Sequence, residues 1–397
     1  MRIALIADAY PPMRTSGAVQ LRDLAQEFLR LGHEPTVLVP SSDIDEPWQH
    51  EEMNGVEVLR LKALRTKDIG YVRRTLGEFL MPFAMLRNYR KSPFSDVRWD
   101  GVVWYSPTIF LGPIANAFKR VSGCRSYLIV RDIFPEWAVD MGILRRGLVY
   151  RFFKMVERYQ YSIADTIGVQ SASNLGYFAE WAKEPGRRLE VLQNWLAQTM
   201  NVGSSISIDA STLAGRTIFV YAGNMGIAQG MDIILDLVER LRDRQDIGFL
   251  FVGRGSEVSR LRASAEERAL GNVIFYDEID PREIPGLLAQ CHIGLVALDP
   301  RHKTHNIPGK FLTYMLAGLP VLARINAGND LVDLIKREGV GRVYVGESLD
   351  ALQTLAEELC DDKAGRALMS SQARSLAQSS FSVTAAANKI VAALSKI

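Results

Sequence analysis

A lysine at a loop-to-helix transition is the residue whose sequence context most clearly suggests chemistry. The run HKTHNIPGKFLTYMLAGLPVLA spans residues 302–323, and Pro308 and Gly309 predict a loop that leads into a helix. Lys310 would lie in the first turn of that helix, where the helix dipole disfavours a cation. A phosphate bound at the same place would compensate that cost. We therefore interpret Lys310 as a phosphate ligand, the alternative being an exposed lysine without a ligand.

Two histidines, His302 and His305, precede this lysine and lie three residues apart. A catalytic zinc site needs three protein ligands, and no third ligand of suitable type lies nearby in the sequence. The spacing therefore favours histidines that face solvent or phosphate over a metal site.

The stretch FVYAGNMGIAQGMDIILDL, residues 219–237, has the pattern of a strand, a glycine-rich loop and an amphipathic helix. Such a turn offers backbone N–H groups and a helix N-terminus to a phosphate. Its glycines can equally serve only the geometry of the turn. The loop from Gly223 to Gly230 contains no charged residue, so a phosphate there requires a cation from elsewhere.

Charged residues gather after another apolar strand in VRDIFPEWAVDMG, residues 130–142. In open α/β sheets, ligands bind beyond the carboxyl ends of the strands. This pattern predicts that the cluster of Arg131, Asp132, Glu136 and Asp140 points into a ligand cleft, with surface ion pairs as the alternative. The run VGRGSEV, residues 252–258, also follows a strand, but Val258 stands where a dinucleotide fingerprint has its third small residue. It leaves open a nicotinamide dinucleotide, another nucleotide, or a plain tight turn.

These strand ends belong to two successive series of strands and helices. Short apolar runs such as RIALIAD alternate with helical patterns through the first half, and the pattern restarts at TIFVYAG after a serine- and glycine-rich stretch near residues 200–214. Alternation of this kind predicts parallel sheets covered by helices. The fold class is therefore α/β, with two doubly wound, Rossmann-like domains. The last segment, VTAAANKIVAALSKI, is a helix whose apolar stripe must pack on something.

Bulk composition narrows the class of protein. The 397 residues carry a net charge of +2 and three cysteines far apart in the sequence. These values favour neither nucleic acid as a partner nor a disulfide framework, and a reducing compartment fits. We expect a cytoplasmic protein, because the sequence contains neither a signal-peptide core nor a run of about 20 apolar residues.

A basic amphipathic stretch occupies residues 60–91, where nine lysines and arginines face only Asp68 and Glu78. Leucines and phenylalanines interleave with these basic residues, a pattern typical of an element that lies on a membrane surface. A solvated helix face that covers the core is the alternative. Residues 145–159 repeat the pattern more weakly.

Five runs together resemble glycosyltransferase family 4, the two-domain nucleotide-sugar enzymes of GT-B fold. Within that family the chain is similar to the WbuB-like bacterial N-acetyl-L-fucosamine transferases of surface-polysaccharide assembly. The resemblance covers essentially the whole chain and is carried by WYSPTIFLGP (104–113), SYLIVRDIFPEWAVDMGIL (126–144), YAGNMGIAQGM (221–231), HKTHNIPGKFLTYMLAGLPVL (302–322) and NAGNDL (326–331).

The resemblance implies two domains that face each other across a cleft, with a final helix that crosses back to the first domain. Residues 1–198 and 376–397 would form the acceptor-side domain, and residues 199–375 the domain that binds the nucleotide sugar. The implied reaction transfers a sugar from a UDP-sugar to a lipid-linked saccharide of the undecaprenyl-diphosphate type, in O-antigen, capsule or exopolysaccharide assembly. The enzyme would be retaining, independent of metal, and peripheral at the inner face of the cytoplasmic membrane.

The sequence patterns and the resemblance together predict the site residues. The catalytic candidates are Arg131, Asp132 and Lys310. The candidates for donor binding are Gly17, Gly223, Asn224, Gln229, Arg254, Glu278, Ile279, His305, Asn306, Gly309 and Thr313.

The chain departs from the family at several of these positions. Many members have Arg and Lys where this chain has Asn224 and Gln229, so we expect the missing cation from Lys310, with Arg131 and Arg254 behind it. The family's glutamate pair is replaced by His305 and Thr313, which shifts ribose binding towards Asp277 or Glu278. These departures keep two alternatives open, a nucleotide-sugar epimerase and a non-catalytic protein that binds donor.

Overall fold

The computed structural model describes residues 1–13, 15–66, 70–140, 142–197, 201–299 and 307–395 of the chain. It divides into two compact units. The first contains Met1–Trp195 and Val383–Ile397, and the second contains Leu196–Ser382.

The first unit is built on an eight-stranded sheet with the order β3-β4-β2-β1-β5-β6-β7-β8. Its strands are β1 (Arg2–Ile6), β2 (Glu34–Ser41), β3 (Trp48–Met53), β4 (Val56–Lys62), β5 (Gly101–Ser106), β6 (Arg125–Val130), β7 (Thr166–Val169) and β8 (Arg188–Val191). Its first five helices are α1 (Ser16–Arg30), α2 (Tyr71–Tyr89), α3 (Gly112–Ser122), α4 (Glu136–Asp140) and α5 (Leu148–Ile163). All neighbouring pairs are parallel except β3 with β4.

The central strands are buried on both faces, which explains their continuous apolar runs. Every residue of β5 is buried, and β1 is buried from its second residue onward. Helix α1 covers one face with Leu21, Leu24, Ala25 and Phe28, which confirms the predicted helical stripe. It begins where the Thr15 hydroxyl accepts a hydrogen bond from the Ala18 amide at 3.3 Å, a standard N-cap.

The edge hairpin of the first sheet was not predicted. Strand β3 pairs antiparallel with β4 through residues that are mostly charged or polar, and none of its residues is buried. A strand of this composition lacks the apolar run or alternation on which sequence-based assignment depends. Its chain reversal passes through Asn54 and Gly55, both with positive φ, as a two-residue hairpin turn requires.

The second unit contains a six-stranded parallel sheet with the order β11-β10-β9-β12-β13-β14. Its strands are β9 (Thr217–Ala222), β10 (Ile247–Val252), β11 (Val273–Tyr276), β12 (Ile293–Ala297), β13 (Val321–Arg324) and β14 (Gly341–Tyr344). Its helices are α6 (Asp232–Arg240), α7 (Val258–Glu267), α8 (Ile284–Leu288), α9 (Gly309–Ala317), α10 (Asp330–Glu338), α11 (Leu349–Asp361) and α12 (Lys363–Leu376). Two apolar clusters cover the two faces of this sheet. The doubly wound α/β fold predicted for both domains is confirmed.

The last helix, α13 (Val383–Ser395), belongs to the first unit, as predicted. Its apolar stripe, which includes Ile390 and Leu394, joins the cluster formed by α1 and one face of the first sheet. A Cβ atom on Gly101 would come within 2.6 Å of Leu394 Cδ1. The helix therefore packs directly on β5, and a side chain at position 101 would require Leu394 to move.

The boundary between the second unit and the returning segment lies later in the chain than predicted. The second unit extends to Ser382, whereas the predicted domain boundary lay between residues 375 and 376. A π-helical turn, Ala377–Phe381, follows α12, and the Phe381 ring packs against Phe311 of α9 at 5.9 Å. This contact keeps the turn with the second unit. The other predicted boundary, between residues 198 and 199, lies outside the described residues, but Leu196 already belongs to the second unit, where its amide donates to the Phe381 carbonyl at 2.9 Å.

No helix in the described ranges is both long enough and apolar enough to cross a membrane.

Candidate active site

Strand ends of the first unit surround a pocket of about 390 Å³. It lies where β1, β5, β6 and β7 end and α1 begins, the position expected for a ligand site in such a sheet. Predicted site residues Gly17, Arg131 and Asp132 all line it. Its other lining residues are Asp8, Ala9, Thr15, Ser16, Gln20, Leu21, Tyr105, Pro107, Gln170 and Asn194.

Gly17 lets α1 approach the end of β5 closely. A Cβ atom at this position would lie 3.1 Å from Tyr105 Cε1, so a larger residue would push the ring or the helix away. The Tyr105 hydroxyl in turn donates to Gln20 Oε1 of α1 at 3.2 Å. The glycine therefore has a packing reason that stands beside the predicted role in donor binding.

Arg131 is held by the protein itself. Its side chain is only 6% exposed, and its Nη1 donates to the Leu192 carbonyl at 2.7 Å. Its guanidinium carbon lies 4.6 Å from the centre of the Trp195 ring, a cation–π contact. Burial lowers the pKa of Arg131, an effect that the nearby Tyr105 and Asp132 oppose.

Asp132 is open to the pocket. Desolvation raises the pKa of its carboxyl group, and the neighbouring Arg131 charge lowers it by a smaller amount. A carboxylate with a raised pKa at a strand end is suited to accept or share a proton with a hydroxyl group. The geometry is compatible with the predicted catalytic role.

In the second unit, the loops after β9 and β10 are interlocked. The Gly223 amide donates to the Val252 carbonyl at 2.9 Å, and the Met225 amide donates to the Arg254 carbonyl at 2.7 Å. A Cβ atom on Gly253 would lie 2.0 Å from the Gly223 carbonyl oxygen. The glycines of VGRGSEV therefore allow the two loops to approach each other closely. This packing role agrees with the tight-turn alternative.

Hydrogen bonds within the protein reduce the number of backbone amides that the glycine-rich loop can offer to an anion. Besides the two amides already used, the Gly226 amide donates to Gln229 Oε1 at 2.9 Å. The same oxygen accepts from Asn224 Nδ2 at 3.1 Å. Asn224 and Gln229, two predicted donor ligands, thus contact each other and stabilise the loop. The expectation that this loop offers backbone N–H groups to a phosphate needs correction, because the amides of Gly223, Met225, Gly226, Gln229 and Gly230 donate within the protein.

Lys310 lies in the first turn of α9, as predicted, and next to the loop that lacks a cation. A Cβ atom built on Gly223 would be 3.7 Å from Lys310 Cε. The amine donates a hydrogen bond to the Tyr221 hydroxyl and lies 4.0 Å from the centre of that ring. Burial lowers the pKa of Lys310 to about 7. The structure therefore places an amine that changes charge near neutral pH beside Gly223.

The remaining predicted donor residues of the second unit lie nearer its surface. Arg254 and Glu278 form an exposed ion pair at 3.4 Å, and Ile279 packs partly against the core. The Thr313 hydroxyl donates to the Gly309 carbonyl at 3.3 Å, one turn earlier in α9. His302, His305 and Asn306 lie outside the described residues.

Sequence reasoning missed two aromatic residues that hold the candidate cations. Tyr221 is the penultimate residue of β9 and contacts Lys310, and Trp195 follows β8 and contacts Arg131. Both are fully buried, and from the sequence alone each is interpreted as an ordinary core residue. Only the pairing with a cation from a distant segment gives them a role in the site.

One group of side chains among the described residues has metal-ligand types in proximity, namely Asp246, Cys360 and Asp361. The Arg244 guanidinium already bridges the two carboxylates, at 2.9 Å and 2.6 Å. It lowers the pKa of Asp246. We therefore assign this group to an ion-pair cluster.

Known protein families match both halves of the chain. Residues 16–195 match the glycosyl transferase 4-like domain, and residues 216–362 match the glycosyl transferases group 1 family. The chain therefore carries the paired domains of a glycosyltransferase and is a transferase enzyme.

Two relatives have similar sequences. The probable glycosyltransferase WbjE of Pseudomonas aeruginosa is 26% identical over 244 residues, a match that covers 60% of each chain, less than two thirds of that protein's length. The putative colanic acid biosynthesis glycosyl transferase WcaI of Escherichia coli is 24% identical over 379 residues, which cover 89% of this chain and 90% of that protein.

Solved structures share the fold at lower identity. WaaG, a glycosyltransferase involved in lipopolysaccharide biosynthesis, superposes with a TM-score of 0.63 and 16% identity over the whole of both chains. HepE from Anabaena, solved in complex with UDP and glucose, gives a TM-score of 0.65 and 14% identity, again over the whole of both chains. The fold class is thus GT-B.

Proposed function

We propose that this chain transfers a sugar from a UDP-sugar to a lipid-linked saccharide in the assembly of a surface polysaccharide. The donor sugar is N-acetyl-L-fucosamine or a related 6-deoxy aminosugar, and the acceptor is of the undecaprenyl-diphosphate type. Transfer is retaining and needs no metal ion. The enzyme works at the cytoplasmic face of the membrane, to which it binds peripherally.

The observation that carries the proposal is the position of Lys310. Its amine lies beside Gly223 at a strand end, and it occupies the first turn of a helix. A diphosphate bound there would meet both a cation and the N-terminus of α9. Charge that develops on a leaving UDP would be stabilised by groups already in place, which is a large source of catalysis in enzymes.

Relatives and neighbours support the substrate class. The name of WcaI refers to colanic acid biosynthesis, and WaaG is involved in lipopolysaccharide biosynthesis. HepE has been solved with UDP-glucose as well as with UDP. These three proteins therefore support a UDP-sugar as the donor and a polysaccharide as the product.

The surface of the first unit supports the membrane proposal. Helix α2 exposes Val72, Leu76 and Phe83, which are 83%, 57% and 51% accessible. On α5, Leu148 and Val149 are 83% and 58% accessible. Apolar side chains this exposed, beside the arginines of the 60–91 segment, are suited to the headgroup region of an anionic bilayer.

Calorimetric titration of UDP in the presence of EDTA tests the donor site. The wild-type chain should bind UDP without metal, and Lys310→Ala should weaken binding by about 1–3 kcal/mol, as for a lost charged hydrogen bond. Lys336→Ala, which removes an exposed lysine from α10, is the matched control. If wild type and Lys310→Ala bind UDP with equal affinity, a residue other than Lys310 supplies the cation. A wild-type chain that does not bind UDP would contradict the proposal.

A second test concerns the reaction. Incubation with a UDP-sugar and an undecaprenyl-diphosphate saccharide should yield an extended lipid product that retains the donor's anomeric configuration. Conversion of the donor to its epimer without transfer would instead favour the epimerase alternative. Donor binding without turnover on any lipid acceptor would favour a non-catalytic protein.

A further inference from the structure

The contacts of Arg131 differ from those expected of an arginine that binds phosphate. Its Nη1 donates to the carbonyl of Leu192, and its Nη2 lies 3.4 Å from the carbonyl oxygen of Gln193. The guanidinium carbon lies 4.6 Å from the centre of the Trp195 ring. Three of the four residues from 192 to 195 therefore contact this one side chain.

Trp195 is fixed from its other side as well. It is fully buried, and its indole Nε1 donates to the Gln20 carbonyl of α1 at 2.9 Å. The same Gln20 accepts the hydroxyl of Tyr105 through its side chain. The arginine, the tryptophan and the start of α1 thus form one packed group beneath the pocket.

The charges around the pocket also disfavour an anion. Asp8 and Asp132 line it together with Arg131. A diphosphate placed there would meet two carboxylates and one arginine whose Nη1 and Nη2 are directed to backbone carbonyls, while its buried Nε makes no hydrogen bond among the described residues. Carboxylates and amides are instead the groups that accept and donate hydrogen bonds to sugar hydroxyls.

We infer that Arg131 and Trp195 are positioning residues, which hold the 192–195 segment so that Asn194 and Asp132 together face the hydroxyl groups of the acceptor saccharide. This inference rests on the proposed function for the identity of the ligand, but not for the positioning itself. Asn194 lines the pocket from the segment that Arg131 ties down. It becomes a specificity-determining residue of the acceptor side, which sequence reasoning did not identify.

Hydrogen–deuterium exchange of the ligand-free chain tests the positioning. Arg131→Met should increase exchange in peptides that cover residues 188–197, Arg131→Lys should restore part of the protection, and Trp195→Phe should give an intermediate effect. Arg120→Met, at an exposed arginine near the end of α3, is the control and should leave these peptides unchanged. Unchanged exchange in both Arg131→Met and Trp195→Phe would overturn the inference.

UDP titration separates positioning from phosphate binding. Arg131→Met should bind UDP within about twofold of the wild type, because the inferred role does not involve the donor. A loss of tenfold or more would make Arg131 a phosphate ligand and overturn the inference. If the wild type itself does not bind UDP, the proposed function fails, while the exchange experiment still decides the positioning.

Kinetics with an undecaprenyl-diphosphate saccharide add a readout that a purely structural role would not move. Asn194→Ala should raise KM for this acceptor about tenfold, with kcat within about threefold and UDP affinity unchanged. Arg131→Lys should show a smaller rise of the same kind. An equal fall of kcat and rise of KM in all variants, together with a lower melting temperature, would indicate general destabilisation and contradict the inference.

Discussion

The amine of Lys310 lies 4.0 Å from the centre of the Tyr221 ring and donates a hydrogen bond to its hydroxyl. These residues are 89 positions apart in the sequence. An aromatic face attracts a cation, but much more weakly than a carboxylate does. The amine is therefore positioned by a neutral partner rather than by a carboxylate, a suitable arrangement for a group that is to meet a diphosphate.

The first prediction concerns the pH dependence of UDP binding. Burial lowers the pKa of Lys310 to about 7, and a bound diphosphate should raise it by favouring the ammonium form. Binding then takes up a proton, so affinity should fall as the pH rises above about 7, by up to about tenfold per pH unit. Titrations between about pH 7.5 and 9 avoid protonation of the phosphate itself, whose pKa is about 6.

Lys310→Met should remove this pH dependence, and Lys336→Met should retain it. Calorimetry in buffers of different ionisation enthalpy gives the proton uptake directly. A wild-type affinity that stays constant across the same pH range would rule out Lys310 as the titrating cation.

The second prediction concerns the interlocked loops. Gly253 has a φ of +147°, and a Cβ atom there would overlap the Gly223 carbonyl. Strain of this kind costs about 1–3 kcal/mol, so Gly253→Ala should destabilise the chain by at least about 2 kcal/mol and weaken UDP binding. Gly271→Ala is the matched control, since a Cβ atom there meets nothing within 4 Å. Chemical denaturation measures both, and equal stability of the two variants would contradict the interlock.

The third prediction concerns a buried ion pair between Lys154 and Glu157 of α5. Glu157 is 1% exposed, and Lys154 Nζ lies 2.8 Å from its carboxylate and also 2.8 Å from that of Glu136 in α4. Lys154→Met leaves Glu157 buried without its cation, which should cost about 3–5 kcal/mol at neutral pH. Lys183→Met removes an exposed pair with Glu180 and should cost less than about 1 kcal/mol.

The cost of Lys154→Met should depend on pH in a definite direction. Desolvation already raises the pKa of Glu157 in the wild type, and loss of the lysine raises it further. The penalty is complete above this pKa and should shrink as the pH falls through it, because the neutral acid tolerates burial. Denaturation at a series of pH values measures it. A penalty that grows at lower pH would contradict the assignment.

The fourth prediction concerns the membrane surface. Charge reversal at Arg73 and Arg74 of α2 should weaken binding to anionic vesicles by at least about 30-fold, since each basic residue near such a surface contributes about 1 kcal/mol. The double reversal of Arg242 and Arg337, on the second unit, is the control. Vesicle co-sedimentation measures the effect. If reversal at Arg73 and Arg74 leaves binding unchanged, α2 is not the anchor.

Local sequence patterns predicted much of this protein correctly. Apolar runs of strand length, helical spacing and glycine or proline breaks are set by neighbouring residues, and they were sufficient for the two α/β series, for the start of α9 at Gly309 and for the apolar stripe of α13. The first-turn position of Lys310 followed from the same local rule. The strands that went unpredicted, such as β3, lack a local signal because tertiary pairing alone makes them strands.

Only the tertiary structure decided which distant groups meet. Lys310 contacts Tyr221 and lies beside Gly223, Arg131 contacts Trp195, and the VGRGSEV glycines pack against the loop that follows β9. Periodicity in the sequence predicts none of these contacts, because each one joins segments that only folding brings together. By itself, the sequence determined the elements and the kinds of groups at their ends. Packing determined which cation is held by backbone carbonyls and which one lies beside the glycine-rich loop.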